Sequence, residues 1–236
     1  MVECSMCSNY QASTDLLRLQ KYFGVDIESL PPFQNEVYPV RPGPFIRLVK
    51  DGSGARRADV GLFGLLPFFA KEVTYGRRTY NARTETVDKL ASFKHAWARG
   101  QRCIIPAEKI YEPNYESGKP VRWAIESVDR TPLGIAGLWA DSPILKDEAG
   151  DPQLSFTMLT VNGAGHPVFK RMHAPEDEKR MVVILEPGDY TRWLDSPEAE
   201  ARDLFRQYIG ELHTFPAPRP PGKPRAKKGN GDSSVA

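Results

Sequence analysis

Two cysteines stand three residues apart at the start of the chain, Cys4 and Cys7, and Met6 directly precedes the second. This CxxC spacing occurs in zinc sites and in redox pairs. A structural zinc site needs four ligands, usually from a second close pair, and the sequence has no second CxxC and no HxxxH. A redox pair needs a strand before it and a helix after it. We therefore expect neither a metal site nor a cofactor, and Met6 leaves open whether trimming exposes Cys7 as the first residue.

An amide, a guanidinium and a carboxylate follow one another in the segment YNARTET, residues 80–86. In a plain loop, Asn81 would be a turn residue and Glu85 a first-turn acid favoured by the dipole of a following helix. The functional alternative is that Asn81 and Arg83 present polar groups to a substrate. Local sequence favours the plain loop and leaves both alternatives open.

Two further side chains are candidate proton-transfer groups. Glu112 ends an apolar run and precedes Pro113, so it is either an exposed edge glutamate or a partly desolvated general acid or base. His173 lies in a loop-like segment before a hydrophobic run, where a histidine is either structural or catalytic. His166, in a Gly/Pro context typical of a turn, and His95, in a helical pattern, are weaker candidates.

Composition is that of an ordinary globular protein: the 236 residues are 40% hydrophobic and 26% charged, with a net charge of +2. Three cysteines indicate a reduced intracellular setting, and Cys103, inside an apolar run, is expected in the core. The sequence has no signal-peptide pattern and no apolar run near the ~18 residues that span a bilayer. These features predict a cytoplasmic protein.

Short β-branched or aromatic runs dominate the chain and predict strands at 45–50, 102–112, 121–127, 133–140, 155–161 and 180–186. Helical periodicity is rarer, and it predicts helices over 13–22, 87–100, 186–195 and 196–209. Many strands with few helices predict an α+β fold, a mostly antiparallel β-sheet closed or nearly closed into a barrel with peripheral helices. Residues 216–236, rich in Pro, Gly, Lys and Arg, are expected to form a disordered basic tail.

Several of these segments recur in one order and spacing: MCSNYQ, NARTET, RCIIPAEKIYEP, GLW, FTMLTV, and MH followed by RMVVIL. Taken together, the set resembles the SRAP family, the SOS response-associated peptidases or abasic-site-processing proteins. The resemblance runs from Met6 to about residue 212. It implies the family's fold, a domain over 6–215, and a short extension or propeptide over 1–5.

The resemblance also implies a chemistry for the N-terminus. Family members carry a cysteine directly after the initiator methionine, and its free amine and thiol condense with the aldehyde of a ring-opened abasic site as a thiazolidine. Matched residue by residue, Cys7 is the nucleophile. Asn81, Glu112 and His173 are the other catalytic residues: Asn81 orients the sugar or the amine, Glu112 relays protons, and His173 donates a proton to the sugar ring oxygen.

The same matches imply a DNA-binding surface. Its members are Arg83, Phe68, Phe69, Arg41, Asn9 and Thr160. Phe68 and Phe69 stand where many members have paired tryptophans, and Asn9 stands where many have an arginine. The loop HAPEDEKR after Met172 is longer and more acidic than the usual form.

The implied partner is single-stranded DNA containing abasic sites, with no membrane. The protein is expected to be a monomer that associates with the nucleoid during DNA damage. AP lyase activity and autoproteolytic removal of the residues before Cys7 are the implied side activities. Two alternatives stay open: a non-covalent single-stranded nucleic-acid binder on the same fold, and a peptidase that uses Cys7 for acyl transfer.

Overall fold

The predicted strand segments join into one sheet in the computed structural model, which describes residues 9–219. The strands are β1 (Asn9–Ala12), β2 (Glu36–Val37), β3 (Pro42–Leu48), β4 (Arg56–Phe63), β5 (Asn81–Arg83), β6 (Arg102–Asn114), β7 (Val121–Ser127), β8 (Leu133–Lys146), β9 (Pro152–Asn162), β10 (Arg180–Val182), β11 (Ile184–Leu185) and β12 (Leu212–Pro216). The helices are α1 (Leu16–Phe23), α2 (Lys94–Ala98), α3 (Tyr190–Asp195) and α4 (Glu198–Arg202). Short 3₁₀ turns lie at Val73–Arg78, Phe169–Arg171 and Pro187–Asp189.

Five strands close into a barrel in the order β8–β9–β4–β3–β6, with β6 returning to pair with β8. All of these pairings are antiparallel except that of β4 with β9. Closure leaves no free edge among the five barrel strands. The expected α+β fold with a closed, mostly antiparallel sheet is confirmed.

The core contains an aromatic cluster contributed by different barrel strands. Phe63 stacks on Phe156 at 5.5 Å between ring centroids, and Phe45 contacts Phe156 at 5.6 Å. Tyr10 of β1 meets Phe63 edge to face, also at 5.5 Å. All four residues are completely buried, and aromatic pairs in such geometries add about 0.5–1.5 kcal/mol to the burial of their area. The cluster ties β1, which begins at Asn9, firmly to the barrel.

Helix α1 is the helix that local sequence predicts best. The Asp15 carboxylate accepts hydrogen bonds from the backbone N–H groups of Leu17 at 2.9 Å and Arg18 at 3.4 Å, so it caps the first turn. Gly24 ends the helix in the left-handed conformation with φ 64°. The helix packs Leu19 and Phe23 into the core.

Two predicted helices are much shorter than expected, and to that extent those predictions were wrong. Of 87–100 only Lys94–Ala98 is helical, and of 196–209 only Glu198–Arg202. In the first segment, hydrogen-bonded turns precede the short helix: the N–H groups of Phe93 and Lys94 both donate to the Leu90 carbonyl at 2.9 Å. In the second, Phe205 turns in to pack against the buried tryptophans of α2 and α3.

The predicted strand at 180–186 is divided in two. Residues Arg180–Val182 pair with β9, whereas Ile184–Leu185 pair with β8. Val183 joins the two ladders, since its N–H donates to the Leu159 carbonyl at 2.9 Å and its carbonyl accepts from Ala136 N at 2.8 Å. The segment therefore crosses from one barrel strand to the next.

Several predictions fall outside the described residues. They concern the extension at 1–5 with Cys4, the nucleophile Cys7, and residues 220–236 of the tail. Strand β12 runs to Pro216, and three more described residues follow it. Within 9–219, no helix is long and apolar enough to span a membrane.

Candidate functional site

An open cavity of about 570 Å³ lies where β1 begins and β6 ends. Its walls are formed by Asn9, Tyr111, Glu112, Pro113, Tyr115, Pro120, Val121, Arg122, Pro218 and Arg219. Of the four residues that sequence predicts to be catalytic, Glu112 lines this cavity, and Cys7 lies outside the described residues. Asn9, the first residue of β1, follows Cys7 by two positions. The cavity thus joins the strand that leads back to Cys7 with the predicted proton-transfer carboxylate.

Glu112 is buried, with only 2% of its surface exposed, so it is not an edge glutamate of the exposed kind. The loop that carries His173 lies against it. His173 N donates to the Pro113 carbonyl at 2.7 Å, and His173 Nε2 lies 3.8 Å from Glu112 Oε2. The structure therefore brings together Glu112 and His173, which are far apart in the chain.

His173 is a buried imidazole in a strained backbone position. Its φ is 65°, in the left-handed region that residues other than glycine seldom adopt. Burial lowers the pKa of His173, which favours the neutral ring at neutral pH. Nε2 lies 3.1 Å from the Arg180 carbonyl, and a carbonyl can only accept a hydrogen bond, so Nε2 carries the proton. Nδ1 is then the basic nitrogen, and it has no hydrogen-bond partner among residues 9–219.

Lys179 closes the loop that His173 begins. Its ammonium donates to the His173 carbonyl at 3.1 Å and to the Ala174 carbonyl. These two bonds hold the carbonyls of the left-handed turn, which helps to offset the strain at His173. Lys179 belongs to the long, acidic HAPEDEKR segment, and its hydrogen bonds stabilise that segment from within.

An ion-pair network links this loop to the NAR segment. The buried Arg180 guanidinium donates to both carboxylate oxygens of Glu85, at 2.6 and 2.9 Å, and to Glu178 at 2.9 Å. Glu178 also binds Arg83 at 2.7 Å. The bond from Arg180 lowers the pKa of Glu85. The local pattern offered Glu85 as a helix N-terminal acid and gave no role to Arg180 or Glu178, although the run of three acids and two bases at residues 176–180 was a signal.

Strand β5 places the other NAR residues. It pairs in parallel with β9, so Asn81 stands beside Met158 and Arg83 beside Thr160. Thr160 is buried, and Arg180 donates to its carbonyl at 2.7 Å and to its Oγ1 at 3.2 Å. The side chain of Arg83 is nearly half exposed. Arg83 and Thr160 therefore meet in one network, with Arg83 towards solvent and Thr160 inside.

Asn9 is also buried, and it belongs to a cluster around Glu36. Asn9 Nδ2, the Tyr38 hydroxyl and Arg122 Nη2 all donate to Glu36 Oε1. The Arg122 guanidinium also lies over the Tyr111 ring, 3.4 Å from its centroid. Sequence reasoning missed Glu36 and Arg122. A signal for Arg122 was its charged side chain between the apolar residues Val121 and Trp123.

The predicted aromatic pair lies apart from the cavity. Phe68 is 53% and Phe69 37% exposed, and their rings meet edge to face at 5.3 Å. His95 of α2 packs against Phe68, with 4.9 Å between the ring centroids, so this histidine has a structural contact. The turn before the pair requires Gly64, with φ 125°, because a Cβ there would overlap the backbone of Gly76. Exposed aromatic rings of this kind are available to unstacked bases.

The remaining candidate residues lie away from the cavity or in the core. Arg41 is exposed just before β3 and does not line the cavity. His166 is buried and its Nδ1 accepts from Val168 N at 3.1 Å, a structural role. Cys103 is buried in β6, and burial raises the pKa of its thiol well above the usual range, in line with a core residue. Among residues 9–219, no group of histidines, cysteines and carboxylates could hold a metal ion.

Comparison with known proteins gives consistent matches over this part of the chain. The family described as SOS response associated peptidase (SRAP) matches residues 6–219. The abasic site processing protein YoqW of Bacillus subtilis (strain 168) is 27% identical over 195 residues, 80% of each chain. The abasic site processing protein YoaM of the same organism is 28% identical over 174 residues, 73% of this chain and 71% of the relative. A crystal structure of a Bordetella bronchiseptica protein is 38% identical, with a TM-score of 0.78 over 89% of this chain and 99% of the other.

Proposed function

The chain belongs to the SOS response associated peptidase (SRAP) family, and from this we propose that it crosslinks itself to abasic sites in single-stranded DNA through Cys7. Relatives that match about four fifths of the chain bear the name abasic site processing protein. The observation that carries the proposal is the buried pair of Glu112 and His173 beside a cavity whose wall begins at Asn9. Two peptide units separate Cys7 from Asn9, so their Cα atoms are at most about 7.6 Å apart.

The first step is attack by the Cys7 amine on the aldehyde of the ring-opened sugar. An α-amine has a pKa of about 7.7–8 and is partly neutral near pH 7, so it needs no strong base to act as a nucleophile. The carbinolamine that forms loses water to give an imine. Glu112 relays the protons in both steps, from the amine and to the departing hydroxyl.

The second step closes the ring. The Cys7 thiol adds across the imine C=N bond: sulfur bonds to C1′, and the thiol proton goes to nitrogen, which gives a thiazolidine. Nothing is oxidised or reduced overall, and one water is released. The thiol and the amine belong to one residue, so closure has a high effective molarity.

His173 acts on the sugar before this condensation. Its basic Nδ1 takes the proton of the C1′ hydroxyl and delivers it to the ring oxygen as the C1′–O4′ bond breaks, which leaves the aldehyde at C1′. The imine also acidifies the C2′ protons. Loss of one of them expels the 3′ phosphate, which is the AP lyase side reaction.

Self-processing precedes the chemistry. With residues before it attached, the Cys7 nitrogen is an amide and cannot form an imine. Hydrolysis of the Met6–Cys7 bond, or initiation at Met6 followed by its removal, frees the amine. We propose the boundaries accordingly: an extension over 1–5, a domain over 6–215 and a basic tail over 216–236.

The DNA strand is held by groups around the site. Asn81 orients the sugar or the amine, Arg83 and Arg41 hold phosphates, and Phe68 and Phe69 stack on bases. We assign Asn9 and Thr160 to support of this surface, because both side chains are buried and already bonded to other residues.

Lesion dependence tests the proposal. Protein that begins at Cys7 is mixed with three single-stranded oligonucleotides: one with a natural abasic site, one with a tetrahydrofuran analogue that has no aldehyde, and one intact. Denaturing gels should show an adduct with the first oligonucleotide alone. Equal affinity for all three with no adduct would instead establish the non-covalent binder, and cleavage of a peptide substrate in trans without adduct would establish the peptidase.

Removal of the charge of Glu178 is expected to tighten DNA binding. Glu178 forms an ion pair with Arg83 at 2.7 Å, so a phosphate that binds Arg83 must displace the carboxylate. Arg180 keeps its hydrogen bonds to Glu85 when Glu178 is replaced. An exposed ion pair is worth about 0.2–1 kcal/mol, so Glu178→Gln should lower the Kd for intact single-stranded DNA by up to about fivefold. The measurement is fluorescence anisotropy at low salt.

Glu200→Gln is the matched control for this prediction. It removes the same charge from an exposed position in α4, and Glu200 forms no ion pair with any residue in 9–219. Equal tightening by both variants would mean that only net charge matters.

A further inference from the structure

The C-terminal end of the described chain returns to the candidate cavity. Strand β12 pairs antiparallel with β7 as far as Pro216, which stands opposite Trp123. Two more hydrogen bonds extend this pairing: Ala217 N donates to the Arg122 carbonyl at 2.9 Å, and Arg122 Nη1 donates to the Ala217 carbonyl at 3.1 Å. Pro218 and Arg219 therefore form part of the cavity wall.

Of the two arginines at this cavity, one is already neutralised. Arg122 is bound to Glu36 and covered by Tyr111. Asn9, on the same wall, donates its side-chain amide to Glu36 as well. Neither side chain is available to bind an anion.

Arg219 differs in exposure and in charge pairing. Its guanidinium lies over the Tyr38 ring, 5.1 Å from the centroid, and the residue is exposed. No carboxylate in the described part of the chain forms an ion pair with it. A cation–π contact holds a guanidinium near the ring and leaves N–H groups free for a bidentate acceptor.

We infer that Arg219 is a phosphate-binding residue of the DNA site, positioned by the pairing of the C-terminal segment with β7. The inference rests on the proposed function, because an abasic sugar must enter the cavity to approach Glu112. The phosphates on either side of that sugar stay charged and remain at the solvent-facing rim, since burying an unpaired phosphate is too costly. Arg219 stands at that rim with an unneutralised charge, and the Arg122 side chain anchors the segment that carries it.

The test uses the full chain and intact single-stranded DNA, for which binding is non-covalent. Arg219→Gln should weaken binding about fivefold at low salt. It should also make the slope of log K against log salt shallower by about 0.7, the contribution of one phosphate contact on a single strand. The matched control is Arg130→Gln, which removes an exposed arginine that lines a different cavity.

Arg130→Gln should leave the slope at its wild-type value. Equal effects of the two substitutions, or no change with Arg219→Gln, would overturn the inference. Crosslinking to abasic DNA is a separate readout, and at subsaturating protein Arg219→Gln should lower the yield in proportion to its weaker binding. If the wild-type protein forms no crosslink but the difference in salt slope persists, the proposed chemistry fails and the phosphate role of Arg219 stands.

Discussion

Replacement of Cys7 with alanine is expected to abolish the heat-stable adduct with abasic DNA. The variant still offers an α-amine once the residues before position 7 are removed, so it can form an imine with the aldehyde. It has no thiol to close the thiazolidine, and an imine hydrolyses during denaturation. The yield on a denaturing gel should fall to background without reductant and recover in part when borohydride traps the imine.

Cys103→Ala is the matched control for this result. Cys103 is buried within β6, and burial raises the pKa of its thiol, so its loss should leave the adduct yield unchanged. Full yield from Cys7→Ala without reductant would refute the mechanism. A mass measurement provides the companion result: active protein should begin at Cys7, and active protein that retains Met1–Met6 would contradict the proposal.

Replacement of Glu112 with glutamine is expected to slow crosslinking by about 10²–10³-fold, within the range for loss of a positioned proton-transfer group. The amide has nearly the same shape as the carboxyl group, so the buried site and the packing of His173 should persist. The rate is measured with excess protein at saturating DNA, so that weaker binding does not contribute. The Kd for intact DNA should change by less than about threefold.

Glu108→Gln is the control on the same strand. Glu108 also belongs to β6, but it binds Arg18 at 2.8 Å and lines another cavity. Its loss should leave the crosslinking rate at the wild-type value. A rate for Glu112→Gln within about threefold of wild type would remove Glu112 from the reaction and leave proton transfer to His173 or solvent.

Much of the fold follows from local patterns. The β-branched and aromatic runs predicted six strand segments, and strands lie in all six, because such residues suit a pleated, half-buried surface. Helical periodicity was less reliable. In 87–100 the apolar spacing was present, but Leu90 is 49% exposed and only Lys94–Ala98 is helical. The short strands β2 and β5 depend on partners elsewhere in the chain, so a local window could not predict them.

The candidate site, too, could be predicted only in part from the sequence. Sequence reasoning singled out Glu112 and His173 as residue types that can transfer protons, and the order of the motifs indicated the family. It left open whether Glu112 is exposed, because exposure depends on which elements cover the end of β6. The structure places the His173 loop there and buries both side chains.

The sequence by itself therefore determined the kinds of chemistry available: a cysteine near the N-terminus, a carboxylate at a strand end and a histidine before a strand. Only the tertiary structure decided which charges are neutralised. Arg180 forms ion pairs with Glu85 and Glu178, and Arg122 forms one with Glu36. Arg219 forms no ion pair within the described residues. Pairing of this kind is set by long-range strand alignment and burial, which bring together residues that no local pattern relates.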